Sequence, residues 1–383
     1  MANVLLNYQT VNLRYAVKEL SKHNLYSWRG LSHKFAASTA PTMHDNIIDN
    51  LDIYDEDRSI LASKIKNFIK KNDIDIIFPI YSDMLFPYIY DVLGFTKKQS
   101  DILSNKEAYT TVARSLGIPV PNTYTNIKKA EYPIIAKPVN GSGSIGIKVL
   151  KDYSDYFFFA SGEDIQYNDL GKYYIFQDYI DGMTISSAGR IVNGNVMVDC
   201  SYQIEMSELP YRAEVGFVFA PNPEIDSIIK QLIQSLATEL ELDTCAWMAD
   251  FIYSNGQFFL VDFSPRLSVS AQVLIKYSAG IDYNSLVLDS ILYKNKSSIN
   301  CKKCVCYRYF DFPKGEYDVE YSGLDNLADE LQLPKEISYM NRMDMLMPFK
   351  GYAVTSATYL SAAEGKWQSI ADNIILRNKT KVT

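Results

Sequence analysis

Two stretches of this sequence combine residue types suited to binding an anion and a cation. The first is Pro133 to Val149, PIIAKPVNGSGSIGIKV. Apolar runs at Ile134, Ile135, Ala136 and at Ile145, Ile147, Val149 flank Lys137, Asn140, Gly141, Ser142, Gly143, Ser144 and Gly146. Glycine lets backbone amides approach an anion closely and tolerates positive φ. Successive amides in such a turn form an anion-binding nest. Lys137, at the end of the entering strand, adds a mobile point charge. The competing reading is a hairpin with an exposed surface loop. The loop joins two strands and does not open a helix, so as a phosphate cradle it is expected to act as a mobile lid.

The second stretch is Cys245 to Arg266, CAWMADFIYSNGQFFLVDFSPR. It reads as two strands, 249–253 and 257–263, around a turn at Ser254-Asn255-Gly256. Asp250 and Asp262 then become near neighbours on one face across the hairpin. Opposed like charges repel unless a cation lies between them. An all-oxygen set of this kind suits Mg²⁺, which takes one or two carboxylates and completes its shell with phosphate and water. Ser264 adds a hydroxyl, and Arg266 is placed to bind a phosphate bidentately. The alternative is a pair of solvated strand carboxylates, although Asp is depleted in strands. The cation site supplies the counter-charge that a phosphate loop requires.

The elements that must position these residues follow from periodicity. Residues 1 to about 100 alternate strand and helix. Val4-Leu5-Leu6 is an apolar run, and Leu13, Ala16, Val17 and Leu20 recur at helical spacing. A helix from near Asp55 carries Ile60, Leu61, Ile65, Phe68 and Ile69 on one face. Ile74 to Ile80 is a buried-strand candidate, followed by Ser82, Asp83 and another helix. Such alternation implies a parallel sheet with crossovers, whose ligands bind at the carboxyl ends of the strands. Asn7 to Gln9 and Tyr81 to Asp83 sit there, with a helix cap as the alternative role for Ser82 and Asp83. The first strand is not followed by G-x-G-x-x-G, which argues against a dinucleotide site.

Residues 104–121 form the clearest local helix. Ser104 and Glu107 read as a capping box, with Gly117 and Pro119 as stop signals. Lys106 lies in the first turn, unfavourable by the helix dipole but suited to an anionic ligand. Residues 153–169 are aromatic and acidic without a period. Asn193-Gly194 signals a tight hairpin. Asn222 and Pro223 open a helix as cap and N1 residue, with Ile225, Ile228, Ile229, Leu232, Ile233, Leu236 and Leu240 on its core face. Arg190 and Arg212 match no motif; a surface salt bridge is the favoured reading for each, with binding of a substrate carboxylate as the alternative. Cys301, Cys304 and Cys306 contain a C-x-x-C without a second ligand pair, so residues 304–312 read as a buried strand and not as a zinc site. Residues 354–367 read as a strand leading into a final helix, with Ala362 and Ala363 allowing close packing.

Composition sets the outer bounds. The chain has 383 residues, enough for two or three domains or subdomains. With 47% hydrophobic and 22% charged residues it is an ordinary globular protein. A net charge of −7 argues against nucleic acid or an anionic membrane as partner. No apolar run is long enough to span a bilayer, and the first ten residues do not read as a signal peptide. Five cysteines fit reduced thiols. A cytoplasmic location is expected.

In combination, the glycine-loop hairpin K-P-x-x-G-S-G-S-x-G, the segment QDYIDG and the ending VDFSPR resemble the ATP-grasp superfamily, in its carbamoyl-phosphate-synthetase-like, carboxylate–amine ligase branch. The resemblance covers roughly residues 100–290. It implies an α/β and α+β chain: an N-terminal α/β domain with a parallel sheet at 1–100, an ATP-grasp domain at 101–300 with its lid at about 133–182, and a C-terminal segment, 301–383, packed on it. The cofactors it implies are ATP and Mg²⁺, with Mn²⁺ as an alternative ion.

The same resemblance implies roles for individual residues. Lys106 contacts ATP phosphate, and Lys137 the α- and β-phosphates. Gly141, Ser142, Gly143, Ser144 and Gly146 close over the triphosphate. Gln177, Asp178, Tyr179 and Ile180 hold adenine, mostly through backbone. Asp250 and Asp262, with Ser264, hold Mg²⁺. Arg266 stabilises the transferred phosphoryl group. This chain departs from the family pattern in having Asp262 for the usual Glu, Ser264 for Asn, Asp178 for a hinge Glu, and Thr184 for the acid after the hinge glycine. The expected function is an ATP-dependent ligase that activates a small-molecule carboxylate as an acyl phosphate and joins it to an amine. The alternatives are a non-catalytic ATP-binding module and a phosphotransferase on the same scaffold. The expected partners are small-molecule carboxylate and amine substrates, not nucleic acid or membrane, with a homodimer as the assembly to consider.

Overall fold

The N-terminal alternation of apolar runs and helical periods builds a parallel sheet. Strands β1 (Asn3–Asn7), β2 (Asn24–Trp28), β3 (Ile47–Ile48) and β4 (Ile76–Ile77) lie in the order β3-β2-β1-β4. The computed structural model describes residues 1–7, 18–28, 47–48, 57–79, 85–139, 147–162, 174–207, 214–312, 315–324, 326–338 and 351–378. Helix α1 (Arg58–Lys71) starts later than expected, because Asp57 caps it by accepting from Ser59 N–H. Its core face is Leu61, Ala62 and Ile65, and Ile60 of the expected face is 54% exposed. Among the described residues of the expected strand at 74–80, Ile76–Ile77 form the strand paired with β1, and Asp75 and Phe78 N–H donate to Asn3 and Leu5 C=O of β1 on either side. Phe78 is fully buried beyond it, and the Pro79 carbonyl accepts from Leu267 N–H at 2.7 Å. That bond fastens the residue after Arg266 to the end of β4.

Three helices follow: α2 (Phe86–Ile89), α3 (Lys97–Leu103) and α4 (Lys106–Ser115). The expected box between Ser104 and Glu107 is not what starts α4. Asn105 caps it, accepting from Glu107 and Ala108 N–H, while the Ser104 hydroxyl donates back to Ser100 C=O at 2.6 Å and closes α3. With two good cap residues adjacent, the one able to reach N2 and N3 takes the role. Gly117 stands at the C′ position with φ +75°, as expected.

The largest sheet has eight strands, all with antiparallel neighbours, in the order β12-β11-β8-β9-β10-β13-β17-β15. Its strands are β8 (Met183–Val192), β9 (Asn195–Met206), β10 (Glu214–Phe219), β11 (Cys245–Ser254), β12 (Gln257–Ser264), β13 (Cys304–Tyr309), β15 (Glu330–Gln332) and β17 (Tyr352–Ala357). Asn193 and Gly194, like Asn255 and Gly256, all have positive φ. That is the geometry that matches a two-residue turn to strand twist. One face of the sheet packs on α4 and on α6 (Pro223–Glu239), whose Ile229, Ile233 and Leu236 are fully buried. The other covers Val4 and Leu6 of β1 together with α7 (Val269–Ala279) and α8 (Tyr283–Tyr293).

A small antiparallel sheet, β6-β5-β7, stands apart, built from β5 (Ile134–Pro138), β6 (Lys148–Leu150) and β7 (Tyr174–Asp178). Helix α5 (Tyr153–Gly162) covers it through Tyr156 and Phe159. That helix is invisible to periodicity because Phe157 and Phe158 face solvent beside buried Phe159. Gly182, before β8, approaches the β11–β12 hairpin so closely that a Cβ would lie 2.5 Å from Tyr253 C=O. A third sheet, β16-β14-β18, comprises β14 (Glu316–Glu320), β16 (Glu336–Ser338) and β18 (Ile375–Asn378). Between β17 and β18 runs α9 (Leu360–Asp372), in which Ala363 is fully buried and Ala362 is exposed.

Arg190 is not a surface residue. It is 1% exposed, and its Nε and Nη2 donate to Asp199 at 2.7 and 2.8 Å. Its Nη1 reaches Ser290 Oγ, and Tyr283 OH donates to Asp199. The hairpin brings the pair together diagonally across β8 and β9. Arg212 lies outside the described residues, as do Gln9, the segment 81–83 and the loop residues Gly141, Ser142, Gly143, Ser144 and Gly146.

Candidate active site

The β11–β12 hairpin sets Asp250 directly opposite Asp262, and β8 places Ser186 beside Asp250. Among the described residues, Asp250 Oδ1 and the Ser186 hydroxyl are both sealed from solvent without a partner at full hydrogen-bond distance, although Ser186 lies close enough to favour the ionised Asp250 carboxylate. A buried unpartnered carboxylate oxygen costs several kcal/mol in order-of-magnitude terms. Burial first, and the Asp262 charge second, push the Asp250 carboxyl up to about 7.

Asp262 has the opposite environment. Lys106, the first residue of α4, sets its Nζ 2.8 Å from Asp262 Oδ1. One turn along the helix Tyr109, which is 1% exposed, donates its hydroxyl to the same oxygen at 2.8 Å. Burial would raise this carboxyl, but Lys106, Tyr109 and Arg266 outweigh it and hold it below the ordinary value. Arg266, two residues beyond β12, is half-buried and acts on both carboxylates. Two acids that face each other are thus driven apart: one stays ionised and the other holds a proton until neutral pH.

Such a pair fits one divalent cation. A metal would supply the partner that Asp250 Oδ1 lacks and relieve the repulsion across the hairpin. Among the described residues no group of three or more His, Cys, Asp and Glu side chains gathers here. An ion held by this pair must therefore complete its shell with water or ligand oxygens, as Mg²⁺ does. Ser264, 8% exposed at the end of β12, lines the same recess as Asp262.

That recess is a cavity of about 220 Å³. Arg58, Tyr88, Asn105, Lys106, Tyr109, Asp262 and Ser264 are among its walls, and so is Val139 at the root of the glycine loop. The structure therefore joins Lys106, Asp262 and Ser264 at one place, with Asp250 and Arg266 beside them. Lys137, 8% exposed on β5, belongs to the small sheet and pairs with Ile175 of β7.

The hinge segment is tied down by its own polar groups. Asp178 accepts from Asn122 N–H and Nδ2 at 3.1 and 2.8 Å, and also from the Tyr124 hydroxyl. Gln177, 2% exposed, donates to Thr123 Oγ1. Asp178 and Tyr179 N–H donate to Asn122 and Pro133 C=O, respectively, and Ile180 follows in half-buried extended chain. Sequence reasoning missed Tyr109, Ser186 and Arg58. For Tyr109 a signal existed, since i and i+3 on a helix share a face with Lys106. Ser186 and Arg58 carry no local signal.

Comparison with known proteins bears on the fold and the domain family. Residues 103–270 match the model of the ATP-grasp domain family. A D-alanine–D-alanine ligase of Wolbachia pipientis wMel is 22% identical over 244 residues, covering 57% of this chain and 76% of the relative. Among solved structures, an L-amino acid ligase from Bacillus licheniformis superposes with a TM-score of 0.79 at 13% identity, covering 99% of both chains. The biotin carboxylase domain of Hydrogenobacter thermophilus 2-oxoglutarate carboxylase, solved with MgADP, ADP and bicarbonate, superposes with a TM-score of 0.69 at 15% identity, covering 98% of this chain and 91% of that one. The expected superfamily and fold are borne out. Residues 103–270 thus carry the match to the ATP-grasp domain family, and the chain as a whole shares the fold of the L-amino acid ligase.

Proposed function

We propose that this protein is an ATP-dependent ligase. It activates a small-molecule carboxylate as an acyl phosphate, with release of ADP, and an amine then displaces the phosphate to form an amide or peptide-like bond. The observation that carries this reading is the Asp250–Asp262 pair with its unpartnered buried oxygen, set beside Lys106 and Arg266. The relatives named as ligases support the C–N bond-forming class.

In this reading Asp250, Asp262 and Ser264 hold Mg²⁺, which when bound neutralises and orients the phosphate oxygens. Lys106 and Lys137 offset the negative charge that builds on the ADP phosphates as the terminal phosphoryl group leaves. Arg266, with a planar fork of donors, stabilises the phosphoryl group in transfer. Gly141, Ser142, Gly143, Ser144 and Gly146 are assigned to the triphosphate, and Gln177, Asp178, Tyr179 and Ile180 to the adenine. No protein nucleophile is required, so the rate enhancement comes from positioning and charge neutralisation.

The test is ADP release over a panel of carboxylic acids, each with and without amines, with products identified by mass spectrometry. A product containing both acid and amine is expected. ADP release with a phosphorylated product that forms equally well without amine would mean a phosphotransferase. Tight ATP binding with no turnover across the panel would mean a binding module.

A further inference from the structure

Arg58 is the first residue of α1, which belongs to the N-terminal region and lies outside the stretch matched by the ATP-grasp domain. It lines the cavity that Lys106, Asp262, Ser264 and Val139 also line. The other charged walls are already matched. Asp101 is bridged by Lys97 four residues earlier on α3, and Asp262 is bonded by Lys106 and Tyr109. No hydrogen bond or ion pair engages the Arg58 guanidinium among the described residues. A half-buried arginine that no described carboxylate engages, lining a recess beside Asp262, offers a planar fork of donors to an anion. At about 220 Å³ the cavity falls below the size of a drug-sized ligand pocket, roughly 300–1,000 Å³.

We propose that Arg58 is a ligand-binding residue that grips the terminal phosphoryl group of the bound nucleotide, so that the N-terminal region distinguishes a triphosphate from a diphosphate. The proposal rests on the ATP-binding reading above. Its walls favour this anion: Lys106 and Ser264 stand beside Asp262, and Val139 leads directly into the glycine loop. Arginine forks match phosphate oxygens bidentately, and lysine reproduces the charge without the fork.

The experiment is calorimetric titration of the full chain with Mg·ADP and with a non-hydrolysable Mg·ATP analogue carrying a γ-phosphoryl group. Wild type is compared with Arg58→Ala and Arg58→Lys, and thermal unfolding checks that each variant is folded. Arg58→Ala is expected to weaken the triphosphate analogue about tenfold or more and to leave Mg·ADP within twofold, with Arg58→Lys between wild type and Ala. Equal affinities of wild type and Arg58→Ala for the analogue would overturn the proposal. Equal losses for both nucleotides would overturn it as well, because Arg58 would then not be reading the terminal group. If wild type bound neither nucleotide, the ATP-binding reading would fall and this proposal with it.

Discussion

The Lys106 ammonium and the Asp262 carboxylate lie 2.8 Å apart, joining the first residue of α4 to the third residue from the end of β12. Asp262 also carries the Tyr109 bond on the same oxygen. The charge of α4 therefore holds a metal-type ligand ionised, although that ligand faces a second carboxylate. A cation at a helix start, unfavourable for the isolated helix, is matched by this acid. Lys106→Ala should lower turnover by on the order of 100-fold or more. It should change stability by less than about 1 kcal/mol, since the pair is partly exposed. Kinetics and thermal melts of the same preparation check both halves. A large loss of stability with normal turnover would make the pair purely structural.

The pH response of the metal-free protein follows from Asp250. Its carboxyl is raised from an ordinary value of 3.8 to about 7, by burial and then by Asp262. The folded state therefore holds a proton that the unfolded chain releases near pH 4. The stabilisation is full below that pH and is lost progressively as pH rises to about 7. In a chelator the melting temperature should fall between pH 5 and pH 7 and then level off. Asp250→Asn should flatten that segment. Mg²⁺ competes with the proton for the same oxygen, so its stabilising effect should be larger at pH 8 than at pH 6. Melts at four pH values, with chelator or with Mg·ATP, test all three outcomes.

Buried Arg190 makes the opposite kind of prediction. It donates twice to Asp199 and once each to Ser290 Oγ and Ser297 C=O. Arg190→Ala leaves Asp199 buried with Tyr283 as its remaining donor. That should cost about 3–5 kcal/mol, read as an early denaturation midpoint. The double variant Arg190→Met, Asp199→Leu should recover much of the loss, because well-packed apolar residues replace such a pair at little cost. Recovery absent in the double variant would mean that packing around the aliphatic stem, and not the charge, carries the effect.

The sequence made the central hairpin legible because its determinants are local. Asn255 and Gly256 set the turn, strand alternation sets the face, and Asp250 and Asp262 follow as direct partners. Gly117, Asn222 and Pro223 punctuate α4 and α6 for the same reason. The departures arise where two local signals compete or where the partner is distant. Ser104 and Asn105 both offer a cap, and geometry chooses the second. The face of α5 is hidden by aromatics on both its sides. Arg190 and Asp199 flank the Asn193-Gly194 turn, but a register shift between Ala188 and Gly189 obscures their diagonal relation. Arg58 meets Lys106 only through the tertiary fold.

Tyr109 gives the sharpest test of the site's electrostatics. Its ring is buried against the sheet and its hydroxyl donates to Asp262 Oδ1, the oxygen already bonded by Lys106. Both donors share that single oxygen. Tyr109→Phe keeps the ring and removes one donor, so the fold should survive with a loss of about 0.5–1.5 kcal/mol. The Asp262 carboxyl should then titrate higher, since the hydroxyl is one of the groups holding it down. The Mg²⁺ concentration giving half-maximal stabilisation by nucleotide should rise several-fold, and more so at pH 6 than at pH 8. An unchanged Mg²⁺ requirement at both pH values would mean that the Tyr109 bond packs the helix without tuning the carboxylate. Lys106→Ala combined with Tyr109→Phe should then weaken Mg²⁺ no further than Lys106→Ala alone.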